Sequence, residues 1–212
     1  MEVSVQGISQ PLSAHAPSGT GFYTDERWLD LIQSIYGYTV TRLEVRGSDG
    51  ALRGYLPVCA LSSPLTGRRI VSLPFSDICP MVAADSATAH QLVDQAVELG
   101  KRHRARYVEM RTGSSALLDG RDDFIAADNY VSWRLPLAAG EASIWSGVQK
   151  PVQRQVKKSR KMDVTIRFAQ QREDMDIYHR LHVGTRSGKH GMPAQPRAFF
   201  HGLWDRFGAD GT

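Results

Sequence analysis

Cysteine is scarce in this 212-residue chain. Cys59 and Cys79 form no CxxC pair and have no partner spacing that suggests zinc or a disulfide framework, so a reducing cytoplasm is the expected compartment. Long apolar runs are lacking as well, which leaves no candidate for a membrane-spanning helix. The opening MEVSVQGISQPLSAHAPSG has no basic start followed by an apolar block, so it reads as a short strand and a loose lead-in rather than a secretory signal or an anchor. Internal repeats and low-complexity tracts are missing too. Hydrophobic content of 42% with 23% charged residues lies near globular averages and excludes wholesale disorder. The length fits one large domain, or one complete domain with part of another.

What the chain does have is positive charge in one place. Between residues 150 and 172, Lys150, Arg154, Lys157, Lys158, Arg160, Lys161, Arg167 and Arg172 are opposed by Asp163 alone, a local +7 in a chain of net +4, so the remaining residues sum to −3. Such a concentration attracts polyanions: phosphate, nucleic acid or an anionic lipid headgroup. A solvated helix face has the same composition.

Periodicity organises the rest. Thr24 is placed to cap a helix opened by Asp25 and Glu26, along which Trp28, Leu31, Ile32, Ile35 and Tyr36 recur at helical spacing up to Gly37. Residues 39–46 and 51–61 flank Ser48-Asp49-Gly50, a turn tripeptide that predicts an antiparallel hairpin. A strand over 69–73 closes at Pro74. A helix over 86–104 carries Leu92, Val93, Ala96 and Val97 on its buried stripe, and residues 107–110 read as a strand. After a polar loop over 112–123, residues 130–135 make a further strand that Pro136 ends. Beyond a linker at 137–140, Ile144, Trp145 and Val148 predict a short helix, and Pro151 suits the first turn of a basic helix reaching Lys161. Residues 164–168 alternate as a strand. Helices follow over 173–185, with Met175, Tyr178, Leu181 and His182 on one side, and over 196–207 through Phe199, Phe200, Leu203 and Trp204.

Several motifs fail on their chemistry. Gly184-Thr-Arg-Ser-Gly-Lys189-His190 has Val183 where a phosphate-binding P-loop needs its first glycine, follows a helix rather than a strand, and has His190 in place of the magnesium-binding hydroxyl. His179 and His182 could share a helix face, with His190 and His201 nearby in sequence, but no Cys or acidic ligand joins them at metal spacing, so no metal is assigned. Neither cysteine has an activating base nearby in sequence. Two sites survive. Ser72-Leu-Pro-Phe-Ser-Asp77-Ile-Cys-Pro80 brackets Phe75, Ser76 and Asp77 between prolines just after a strand, where a rigid loop can hold an aromatic edge, a hydroxyl and a carboxylate for a substrate; a structural turn with Asp77 capping backbone amides is the other reading. On the basic helix, Arg154, Lys157, Lys158 and Lys161 fall three or four apart and share a face opposite Val152 and Val156, a grip for phosphates that weakens as salt rises. An acidic membrane surface could use the same face.

In their order along the chain these segments resemble the FemAB family, the peptidoglycan aminoacyltransferases and relatives built from two acetyltransferase-like (GNAT-like) lobes. The resemblance is carried by the Trp28 helix followed by Arg53-Gly-Tyr-Leu-Pro57 in a hairpin, by Gly67-Arg-Arg-Ile-Val-Ser-Leu-Pro-Phe-Ser-Asp77, and by residues 150–161 leading on to Tyr178, Thr185-Arg186, Gly191-Met-Pro193 and Phe199-Phe200. It covers most of residues 20–207. It implies an α/β (α+β) fold, a GNAT-like mixed sheet flanked by helices over residues 1–137, followed by an incomplete second GNAT-like lobe over 138–212.

The implied activity is transfer of an aminoacyl or acyl group to an amine of a cell-wall or exopolysaccharide precursor. The donor would be aminoacyl-tRNA or acyl-CoA and the acceptor an anionic lipid-linked or nucleotide-linked molecule, with Phe75, Ser76 and Asp77 shaping the acceptor pocket and Arg154, Lys157, Lys158 and Arg186 holding phosphate. No cofactor is assigned, because no Q/R-x-x-G-x-G/A pyrophosphate loop opens a helix; the nearest stretch, residues 46–51, lies in the hairpin turn. Two rivals remain: a non-catalytic module that binds RNA or anionic lipid, and an acetyl-CoA-dependent GNAT N-acetyltransferase whose pyrophosphate loop would lie beyond Thr212.

Overall fold

The computed structural model describes residues 3–7, 22–79, 81–112, 116–127 and 135–208. Its centre is a six-stranded mixed sheet flanked by helices. Strand β1 (Val3–Gly7) pairs antiparallel with β2 (Thr39–Arg46), β2 with β3 (Leu52–Ser63) and β3 with β4 (Gly67–Val71). The short β5 (Val82–Ala83) also lies antiparallel to β3, and β6 (Val108–Glu109) extends the sheet parallel to β4. A parallel neighbour needs a long crossover, supplied by helix α2 (Ser86–Arg102).

Local chemistry accounts for the elements. Helix α1 (Glu26–Tyr36) starts one residue later than Thr24 would cap it: Asp25 is the N-cap, its carboxylate accepting from the Arg27 backbone N–H at 2.8 Å, while Thr24 is buried in a preceding 3-10 turn. The hairpin turn closes through Gly47 N–H to the Ala51 carbonyl at 2.9 Å, with Asp49 accepting from the Ala51 N–H at 3.0 Å. Asp85 caps α2 by accepting from the Thr88 N–H at 2.7 Å.

The two sheet faces carry separate cores, as alternating side chains require. On one face Val40, Cys59, Val71 and Leu73 pack against Trp28, Leu29, Leu31 and Ile32 of α1 and against Phe199, Phe200 and Phe207 of α6 (Arg197–Phe207). On the other, Leu43, Val45, Leu56, Val58 and Ile70 meet Ala89, Leu92, Val93, Ala96 and Leu99 of α2. Each fully buried Leu or Ile contributes roughly 2 kcal/mol.

The chain divides into two compact units, and the division differs from the one expected at residue 137. The first takes in the described residues up to Phe124 together with those from Gln171 onward; the second is Ile125–Gln170. Residues assigned by sequence to a second lobe thus complete the first unit, because the aromatic face of α6 seals the sheet face that α1 leaves open. Arg206 pairs with Asp30 of α1, and α5 (Asp174–Val183) joins α6 through Asp176, which accepts from Arg197 and His201. A π-helical turn over Gly184–Lys189 prolongs α5.

The second unit contains α3 (Gly140–Gly147) and α4 (Lys150–Lys161). Gln153 Nε2 donates to the carbonyls of Trp145 and Val148 at 3.0 and 2.9 Å and fixes the corner between them. The strand expected over 164–168 does not form: Ile166 and Phe168 are over nine-tenths exposed, and no described strand lies beside them. Alternation alone cannot hold a strand without a ladder partner. The strand expected over 130–135 falls mainly outside the described residues, and Leu135 is irregular. Among the described residues no helix is long and apolar enough to cross a membrane.

Candidate functional site

The proline-bracketed loop leaves β4 at the carboxyl end of the parallel β4–β6 pair. That pairing spans two residue pairs, Ile70 with Val108 and Val71 with Glu109. The Ser72 N–H then reaches the Glu109 carbonyl at 2.8 Å, and the Cys79 N–H the Arg111 carbonyl at 2.8 Å. Between these two ties residues 73–78 rise as an arch. The carboxyl ends of parallel strands are where open α/β sheets meet ligands.

The three loop residues named from sequence are adjacent but face different surroundings. Phe75 is 39% exposed, adopts a left-handed backbone with φ 59°, and stacks on Tyr36 with ring centroids 4.5 Å apart. A left-handed conformation in a residue with a Cβ costs on the order of 1 kcal/mol, which the stacking against Tyr36 offsets. Asp77 is exposed. Ser76 is enclosed: its hydroxyl accepts from Trp28 Nε1 at 3.1 Å and lies 3.3 Å from the Pro74 carbonyl. Its side chain holds the arch in place, so the open surface of the loop is Phe75 and Asp77. Arg111, which the sequence reading missed, supports the arch from two residues beyond β6, its guanidinium reaching the Ser76 carbonyl at 3.0 Å and Glu109 at 2.7 Å.

Burial removes the thiols as nucleophiles. Cys59 and Cys79 are fully enclosed, and desolvation pushes both pKa values up to about 12. Desolvation, with a smaller contribution from Tyr38, also raises the Tyr36 phenol to about 12.

The phosphate-holding residues named from sequence divide between the units. Arg154, Lys157 and Lys158 are exposed on α4. At 3.6 residues per turn, Lys150, Arg154, Lys157, Lys158 and Lys161 fall within an arc of about 100°, and Val152, Val156 and Ser159 lie opposite. Within the described residues none of these five cations meets a carboxylate, whereas Arg172, at the end of the same basic stretch, pairs with Asp205. Arg186 belongs to the first unit, in the π-helical turn, and is partly buried; its enclosed Nε has no hydrogen-bond partner among the described residues. Two of the nearby histidines are engaged with side chains, His182 with Gln195 and His201 with Asp176, both at 2.6 Å.

Comparison with family models, with curated proteins and with solved structures finds no match to this chain.

Proposed function

We propose that this chain is a FemAB-like acyltransferase that moves an aminoacyl or acyl group onto an amine of a peptidoglycan or exopolysaccharide precursor. The observation that carries the reading is the sheet: antiparallel strands β1 to β4 extended by a parallel β6, with the Phe75–Asp77 arch at the carboxyl ends of the parallel pair. A mixed sheet of this kind flanked by helices is what the resemblance implies. The five cations that share one face of α4 agree with anionic substrates, aminoacyl-tRNA or acyl-CoA as donor and a lipid-linked or nucleotide-linked acceptor.

The side chains favour direct transfer. Ser76 is committed to Trp28 and both thiols are neutral and enclosed, so no covalent enzyme intermediate is drawn through them. The acceptor nitrogen attacks the donor carbonyl carbon; a C–N bond forms, the ester C–O or thioester C–S bond breaks, and the amine's proton ends on the departing oxygen or sulfur. Asp77 would accept a hydrogen bond from the acceptor's neutral amine and Phe75 pack against the acceptor, so that catalysis rests on alignment. A non-catalytic module for RNA or anionic lipid is the second reading, favoured by the enclosure of Ser76 and both thiols.

The test is incubation of the protein with charged tRNA or acyl-CoA and amine-bearing lipid-linked and nucleotide-linked precursors. Label should pass from donor to amine. Failure with every pair, alongside retained RNA or lipid binding, would leave the binding module standing.

A further inference from the structure

A second cationic site lies in the first unit, built from residues other than those assigned above to phosphate. The end of α1, the outer ends of β3 and β4, and the end of α2 border an open cleft of about 610 Å³ whose lining includes Tyr36, Tyr38 and the exposed Arg68, Arg102, His103 and Arg104. Among the described residues no acidic side chain lines it. Arg68, Arg102 and Arg104 meet no carboxylate among the described residues, although Lys101 beside them pairs with Glu98 at 3.1 Å. The volume falls in the roughly 300–1,000 Å³ range that holds one small molecule.

The helix dipole explains only part of this. Cations in a last helical turn offset the negative helix end, which accounts for Arg102. It does not account for Arg68, which stands on β4. Nor does it account for Arg104, whose left-handed backbone, φ 52°, is the position that helix ends normally give to glycine. A long cation is kept there against backbone preference. Tyr38 stacks on Tyr36 at 5.4 Å and 14°, Tyr36 in turn stacks on Phe75, and Tyr38 forms the aromatic wall of the cleft; the enclosed Tyr36 hydroxyl has no hydrogen-bond partner among the described residues.

We infer that this cleft binds a small phosphorylated molecule carrying a ring, its phosphates on Arg68, Arg102 and Arg104 and its ring against Tyr38. Arginine presents paired donors that match phosphate oxygens, and an aromatic face accepts a base or sugar ring. A concave site of this size suits a nucleoside diphosphate better than a polymer track. The inference does not rest on the acyltransferase reading.

Calorimetry with ADP and UDP, with adenosine, uridine and inorganic phosphate as controls, tests it. At least one diphosphate should bind, with its nucleoside and phosphate each at least about tenfold weaker. Arg68→Ala and Arg104→Gly should each weaken binding by about tenfold or more. Arg104→Gly guards against loss of fold, because glycine suits the left-handed backbone and its melting temperature should hold or rise. Tyr38→Leu should weaken the diphosphate and spare inorganic phosphate. The inference fails if neither diphosphate binds up to millimolar concentration, or if binding is the same in Arg68→Ala and Arg104→Gly. Binding of tRNA through those two arginines without any diphosphate binding also overturns it, and makes the cleft part of an RNA surface.

Discussion

The indole Nε1 of Trp28 donates to the Ser76 hydroxyl at 3.1 Å, in the interior and across 48 positions of sequence. This bond ties the first helix to the arch after β4 and decides which way the arch presents Phe75 and Asp77. Ser76→Ala strands a buried N–H, so a stability loss of about 1–3 kcal/mol is expected in urea or thermal denaturation. Asp77→Ala, on the exposed side of the same arch, should leave stability within about 0.5 kcal/mol of wild type.

Helices α1 and α6 approach closely at Gly202. A Cβ built there would lie 2.5 Å from Leu31 Cδ1, and Leu31 is fully buried. Gly202→Val should therefore cost about 2 kcal/mol, overpacking outweighing the small gain in helix propensity. An unchanged melting temperature would mean that α6 does not seal this face of the sheet.

Much of this arrangement is legible in the sequence. The spacing of Trp28, Leu31 and Ile32, the turn at Asp49-Gly50 and the Leu92–Ala96 stripe each specify an element through local periodicity. What is not legible depends on distant partners. Val164, Ile166 and Phe168 alternate as a strand would, yet alternation cannot supply a neighbour to pair with. The aromatic face of α6 suits any apolar surface, and nothing within residues 197–207 says that its partner is α1, some 170 residues earlier. Phe75, Ser76 and Asp77 are recognisable as a rigid loop, but the Ser76 hydroxyl turns inward because of Trp28. The cleft arginines went unread because Arg68 and Arg104 stand on separate elements, each ordinary alone.

Asp176 sets a pH dependence. Arg197, and after it His201, donate to its carboxylate and hold its pKa well below the usual carboxylate value. A group with a depressed folded pKa stabilises the protein above its unfolded pKa, near 4, and loses that contribution as pH falls through the folded value. Melting temperature should therefore decline as pH is lowered from about 5 to about 2, and Asp176→Asn should lower it at neutral pH and flatten that decline. Equal slopes for the two proteins would remove Asp176 as a source of the acid sensitivity.

The account depends most on the cations that α4 gathers on one face. Their most direct test is tRNA binding measured against salt for the wild type and for the Lys157→Ala, Lys158→Ala double variant, with anionic vesicles as a parallel ligand. Affinity should fall steeply with salt for at least one ligand, and the double variant should bind more weakly with a log–log salt slope shallower by about 2. Absence of binding to both ligands, or identical slopes in wild type and variant, would contradict the claim that this face holds an anionic substrate.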